Sequence, residues 1–246
     1  MRYDIIKQMA KYFALAGLLV AAVFLINGNV FAQQSVPQVL ITWKADTYVP
    51  PGFPGKAMPT TNSLIRASVE ILENGRFADL SKQTIRWYLN DKENFFDTGV
   101  GKQSVIVGAS PFPKDPLVLR VNIPDYGGRE INKSITIPNV QPEAIIQFPN
   151  SSRNFSTSHI QLKAVPYFFH IKNPSDLTFG WKVNNNSKQE ITASPDIFNI
   201  DILPGTPNGF GVKIDLNLLN PLAPISQRYP LNTESVANSL NLIFAQ

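Results

Sequence analysis

His159 and His170 are the two imidazoles in a chain of 246 residues, and the chain has no cysteine. A hydrolytic triad needs a nucleophile, a base and an orienting acid within hydrogen-bond reach. Neither histidine stands near a Gly-x-Ser-x-Gly elbow, a motif the chain lacks. Glycoside hydrolysis needs two facing carboxylates, and the 18 acidic residues fall without a recognisable pair. The missing cysteines also remove a disulfide framework, a thiolate zinc site, a cysteine nucleophile and a lipid-modified N-terminal cysteine. One loop gathers Asp91, Lys92, Glu93 and Asp97. Calcium takes six to eight oxygens, and the corresponding place later in the chain holds Asn184, Asn185 and Asn186 instead. A solvated turn is the expectation, with no cofactor, no metal site and no enzymatic activity.

Binding chemistry has better candidates. Tyr48 and Phe53 sit among prolines in Tyr48-Val-Pro-Pro-Gly-Phe-Pro-Gly-Lys-Ala-Met-Pro59. Aromatic rings held by proline stack on sugars or fit a partner's groove with little entropy left to lose. They can equally cap the end of a domain. Phe95 and Tyr126 complete the set of candidate stacking residues, although a short strand would also explain Phe95-Phe96. Leu203-Pro-Gly-Thr-Pro207 has letters of a sortase sorting signal. Such a signal precedes a membrane-spanning tail, whereas Gly211 to Leu218 reads as a core strand. A Pro-Gly turn is expected there.

The elements that carry these residues alternate with period two. In Ile65 to Ile71 apolar and polar residues exchange at each step. Ile85, Trp87 and Leu89 do the same, as do Leu117, Leu119, Val121 and Ile123. Such strands bury one face and wet the other. Twenty prolines, with Gly, Asn and Asp, break the runs. The expected fold class is all-β.

The chain also repeats itself. Trp87-Tyr-Leu-Asn-Asp91 returns as Trp181-Lys-Val-Asn-Asn185, each preceded by an Asp-Leu pair (Asp79-Leu80, Asp176-Leu177) and a long apolar strand. A repeat that covers most of the chain implies two copies of one domain. A tryptophan on such a strand fills the gap between the sheets of an immunoglobulin-like sandwich, so Trp87 and Trp181 are expected in the two cores. The expected domains are two tandem immunoglobulin-like β-sandwiches at 33–138 and 144–246, joined by a stiff linker at 139–143. Leu240, Leu242 and Phe244 suggest a final edge strand after a long polar connection from Asn220 to Ser239.

The two Trp segments resemble strands of bacterial immunoglobulin-like and PKD-like surface modules. Together with the Tyr48-to-Pro59 segment and Ala164-Val-Pro-Tyr-Phe-Phe169, they resemble secreted two-domain β-sandwich proteins of bacteria. PKD modules often carry Gly-Asp-Gly after the tryptophan, whereas Asn90-Asp91 and Asn184-Asn185 stand here. The resemblance implies a spacer, adhesin or assembly component and transfers no catalytic residue.

Arg2, Lys7 and Lys11 precede an apolar run from Tyr12 to Ile26, and Val30 and Ala32 then occupy −3 and −1 of a cut before Gln33. This is the layout of a signal peptide at 1–32. At about 1.5 Å per residue the run is short for a bilayer core of about 30 Å. Removing residues 1–32 takes three basic and one acidic side chain, which leaves 19 Lys+Arg against 17 Asp+Glu. No basic stripe for nucleic acid remains. The expectation is export across the cytoplasmic membrane to the cell surface, the outside or a periplasm-like space, with a membrane tie only through an uncleaved leader. The expected partner is a protein of the envelope or surface, with carbohydrate as the alternative.

Overall fold

The computed structural model describes residues 36–148, 154–155, 159–188, 194–221 and 235–244. The leader reading therefore lies outside the described residues. Nine strands come first: β1 (Gln38–Ala45), β2 (Leu64–Glu73), β3 (Arg76–Phe77), β4 (Thr84–Leu89), β5 (Lys92–Glu93), β6 (Gly99–Val100), β7 (Ser104–Gly108), β8 (Leu117–Tyr126) and β9 (Arg129–Ile137). Eight more are β10 (Glu143–Gln147), β11 (Asn154–Phe155), β12 (His159–Tyr167), β13 (Thr178–Val183), β14 (Asn186–Lys188), β15 (Ile197–Asp201), β16 (Gly211–Leu219) and β17 (Ser235–Phe244). A single 3-10 turn, Pro174–Asp176, is the helical element among the described residues.

The strands form two sandwiches of one design. In the first, β2 is flanked by β1 and β7, and this layer faces a sheet ordered β5-β4-β8-β9. In the second, β12 is flanked by β10 and β15, and the facing order is β14-β13-β16-β17. The order repeats because the alternation repeats. Ile65, Ala67, Val69 and Ile71 of β2 turn inward, as do Ile160, Leu162 and Ala164 of β12. Each sandwich encloses its own apolar cluster. The fold is all-β and immunoglobulin-like.

The polar turn after each tryptophan has a physical reason. Asn90 and Asp91 (φ 46° and 65°), like Asn184 and Asn185 (50° and 68°), occupy the left-handed region. Two such residues make the tight turn whose twist matches a hairpin, and Asn and Asp tolerate that region best after glycine. In both copies the first Asn also reaches across to the long strand of its sheet. Its Oδ1 accepts from Val118 N at 2.8 Å in one and from Lys213 N at 2.9 Å in the other.

Three sequence expectations need correction. Phe95 and Phe96 are not on a strand: pairing ends at Lys92–Glu93 and the phenylalanines lie in the turn beyond it. The last connection is shorter than expected, because β17 already begins at Ser235. Nor is β17 a free edge to its end, since β11 pairs with it in parallel at Ile243 and Phe244.

Candidate functional site

Residues 46–60 leave β1 and run between the two sandwiches. Thr47 Oγ1 donates to Met58 O at 2.7 Å and closes the segment into a loop. Tyr48 N donates to Phe169 O at 2.8 Å, and Phe168 N returns a bond to Tyr48 O at 2.7 Å. Tyr48 thus faces two successive residues at once, the pattern of a β-bulge, here between segments about 120 positions apart. Phe168, which donates its N–H, takes φ 62°, the left-handed conformation that the first residue of a G1 bulge adopts.

Side chains extend the junction. The Phe53 ring meets Tyr167 edge-on at 5.5 Å and Phe168 at 6.1 Å, distances at which ring quadrupoles attract. Phe53 folds back over Gly55, where an added Cβ would lie 2.5 Å from the ring. Tyr48 packs on the core of the second sandwich. Burial, the Asp196 carboxylate and then Tyr167 push its phenol above the usual tyrosine range. His170 Nε2 lies 3.1 Å from Asp46 Oδ2, while Asp46 Oδ1 accepts from Leu64 N at 2.7 Å.

The connection at 138–142 is pinned as well. Val140 N donates to Pro59 O at 2.9 Å, and Thr60 and Val140 bridge in parallel. Asn139 Nδ2 donates to Ser110 O at 3.0 Å and Phe112 O at 2.7 Å.

The remaining candidates are scattered. Phe95 is 77% exposed and Phe96 92%. Tyr126 lies at the β8–β9 end, where its hydroxyl donates to Glu73 Oε2 at 2.9 Å, and burial, that bond and the Glu73 charge raise its phenol. Trp87 is fully buried and Trp181 is 6% exposed. Their indole N–H groups donate to Lys102 O at 2.9 Å and Pro195 O at 3.1 Å, in each copy two residues before the next long-paired strand. Of the four candidate stacking residues the structure brings together Tyr48 and Phe53, and it leaves Phe95 and Tyr126 apart from them.

The junction's second half, Tyr167, Phe168 and His170, is not among the residues that sequence reasoning selects for binding. The run of three aromatics after Pro166 is its one signal. His159 Nδ1 sits 2.7 Å from Asp201 Oδ1 at the surface. Asp97 Oδ2 accepts from Asn94 and Asp91 lies 3.7 Å from Arg120. No group of three or more His, Cys, Asp or Glu is placed to hold a metal among the described residues, and no helix among them is long and apolar enough to cross a membrane.

No protein-family model and no curated protein sequence matches the chain. Among solved structures it is similar to three N-terminal domains of the Highly Immunogenic Outer Capsid protein of bacteriophage RB49, at 12% identity, over 85% of this chain and 59% of that one, with a TM-score of 0.41. It therefore spans about three-fifths of that structure. It is also similar to fibronectin(III)-like modules of CbhA from Clostridium thermocellum, at 11% identity over 84% and 95% of the two chains, with a TM-score of 0.28. A third is SGBP-B of a Bacteroides ovatus mixed-linkage glucan utilization locus, at 9% identity over 86% and 48%, with a TM-score of 0.27. The immunoglobulin-like fold is visible in the chain's own strand order and its two buried indoles.

Proposed function

We propose that the chain is a non-enzymatic, exported structural and adhesive module of a bacterial envelope or surface, in which the two sandwiches act as one stiff unit. The observation that carries this reading is the junction. An aromatic loop, a bulge-like pair of backbone hydrogen bonds and a pinned connection together restrict the hinge that a plain five-residue linker would leave free. A spacer or assembly component needs this property, because a fixed angle between modules sets where each end is presented. Edge strands such as β1 and β9 can then add a partner's strand by main-chain hydrogen bonds. A pull-down with residues 33–246 from solubilised bacterial envelope tests the reading, with recovery of pilus, secretion or other envelope proteins as the expected outcome. Recovery of none, under conditions where the bait stays folded, would count against it.

Carbohydrate binding through loop aromatics is the second reading. The exposure of Phe95 and Phe96 favours it, whereas Tyr48 and Phe53 already pack against the second sandwich.

A further inference from the structure

The solvent face of the larger sheet in the second sandwich is hollowed. Three registered rows cross β13, β16 and β17: Lys182–Asp215–Ser239, Gly180–Asn217–Ala237 and Thr178–Leu219–Ser235. In the middle row a glycine and an alanine flank Asn217, and the missing side chains leave a trough of about 670 Å³. Volumes of this size are typical of ligand sites.

The first sandwich supplies an internal control. Its equivalent rows read Tyr88–Arg120–Ser134 and Arg86–Asn122–Asn132. There the Arg120 guanidinium lies 3.9 Å over the Tyr88 ring. Asn122 is 5% exposed and donates to Glu130 and Asn132. One design thus fills this face in the first copy and empties it in the second, where Asn217 is exposed.

Gly180 has no backbone reason to be glycine. Its φ is not positive, and an added Cβ would meet nothing nearer than 3.6 Å. Glycine inside a strand weakens it and marks places where another molecule approaches the backbone.

We propose that this trough is a binding site for an acidic glycan lying across β13, β16 and β17. The proposal is independent of the loop aromatics. Asp215 Oδ1 accepts from Ser239 Oγ at 2.6 Å and lies 3.0 Å from Lys213 Nζ. These bonds, with smaller contributions from the Lys213 and Lys182 charges, hold its carboxyl below the usual range. Asp215 Oδ2 has no hydrogen bond among the described residues and is an acceptor for sugar hydroxyls. Asn217 and Thr178 add amide and hydroxyl groups of matching polarity. Lys182 makes no ion pair among the described residues, and two lysines against one aspartate leave an excess positive charge that a uronate or sulfate group would neutralise. A protein partner usually brings an apolar centre, and of the nine residues in these rows one, Leu219 in the end row, has a large apolar side chain. Three strands about 4.8 Å apart make a floor about 10 Å wide, enough for a pyranose ring.

Residues 33–246 should be titrated with oligogalacturonate, hyaluronate oligosaccharide and neutral maltoheptaose by isothermal calorimetry. Binding of at least one acidic probe, at least tenfold tighter than maltoheptaose, is expected. Gly180→Val fills the trough while raising strand propensity, so it should keep or raise the melting temperature and weaken the acidic probe at least tenfold. Lys182→Gln should weaken it severalfold. No response to either acidic probe, equal affinity for maltoheptaose, or wild-type binding by a folded Gly180→Val variant would overturn the proposal. Loss of binding on Phe95→Ala with retention in Gly180→Val would overturn it too, by moving the site to the loops.

Discussion

Each indole does two things at once. Its rings fill the space between layers, and its N–H satisfies a carbonyl at the approach to the next strand, Lys102 in one copy and Pro195 in the other. A buried aromatic of 150–250 Å² contributes on the order of 4–6 kcal/mol at about 25 cal/mol per Å². Trp87→Ala also leaves a cavity and an unpaired carbonyl, so a loss of about 3–5 kcal/mol is expected in urea unfolding. A loss below about 1 kcal/mol would mean that the ring is not the keystone of its core. Trp181 stacks on Phe198 at 5.1 Å, and it has the same role in the second copy. Both tryptophans were legible in the sequence because a large apolar residue repeated with its neighbours. Tyr48 was legible as unusual, but its destination was not. Nothing local in a proline-rich loop says whether its rings face a ligand or a second domain, since the Phe169 and Phe168 groups that receive Tyr48 lie about 120 residues away.

At the scale of elements the paired Asn turns explain why the motif after each tryptophan is Asn-Asp or Asn-Asn. The left-handed conformation costs an ordinary residue roughly 1–2 kcal/mol, and the Asn90 side chain recovers a bond from Val118 N. Asn90→Gly keeps the backbone and loses the bond, for an expected cost of about 1 kcal/mol. Asn90→Ala loses both and should cost about 2–3 kcal/mol, read as a shift of the urea midpoint. Equal effects of the two substitutions would show that backbone strain plays no part. Period-two alternation made the long strands readable, including β2, β4, β8 and β16. At Phe95-Phe96 there is no alternation to read, and the short strand that two adjacent aromatics would allow is not formed, since pairing stops two residues earlier. Alternation also could not show that β11 reaches β17, because a two-residue parallel contact leaves no periodic trace.

For the whole molecule, the duplication matters through the differences between its copies. The shared register makes Arg86 equivalent to Gly180 and Asn132 to Ala237, and these two changes in one row separate a filled sheet face from a hollow one. The junction has no counterpart within either copy and is built from the segments that leave the C-terminal ends of β1 and β12. It is the feature on which the stiff two-module reading depends. Residual dipolar couplings from residues 36–246 in one alignment medium measure it most directly. A single alignment tensor should fit both sandwiches, and Phe53→Ala should split it in two without unfolding either sandwich. Two tensors of different magnitude in the unmodified chain would contradict the account.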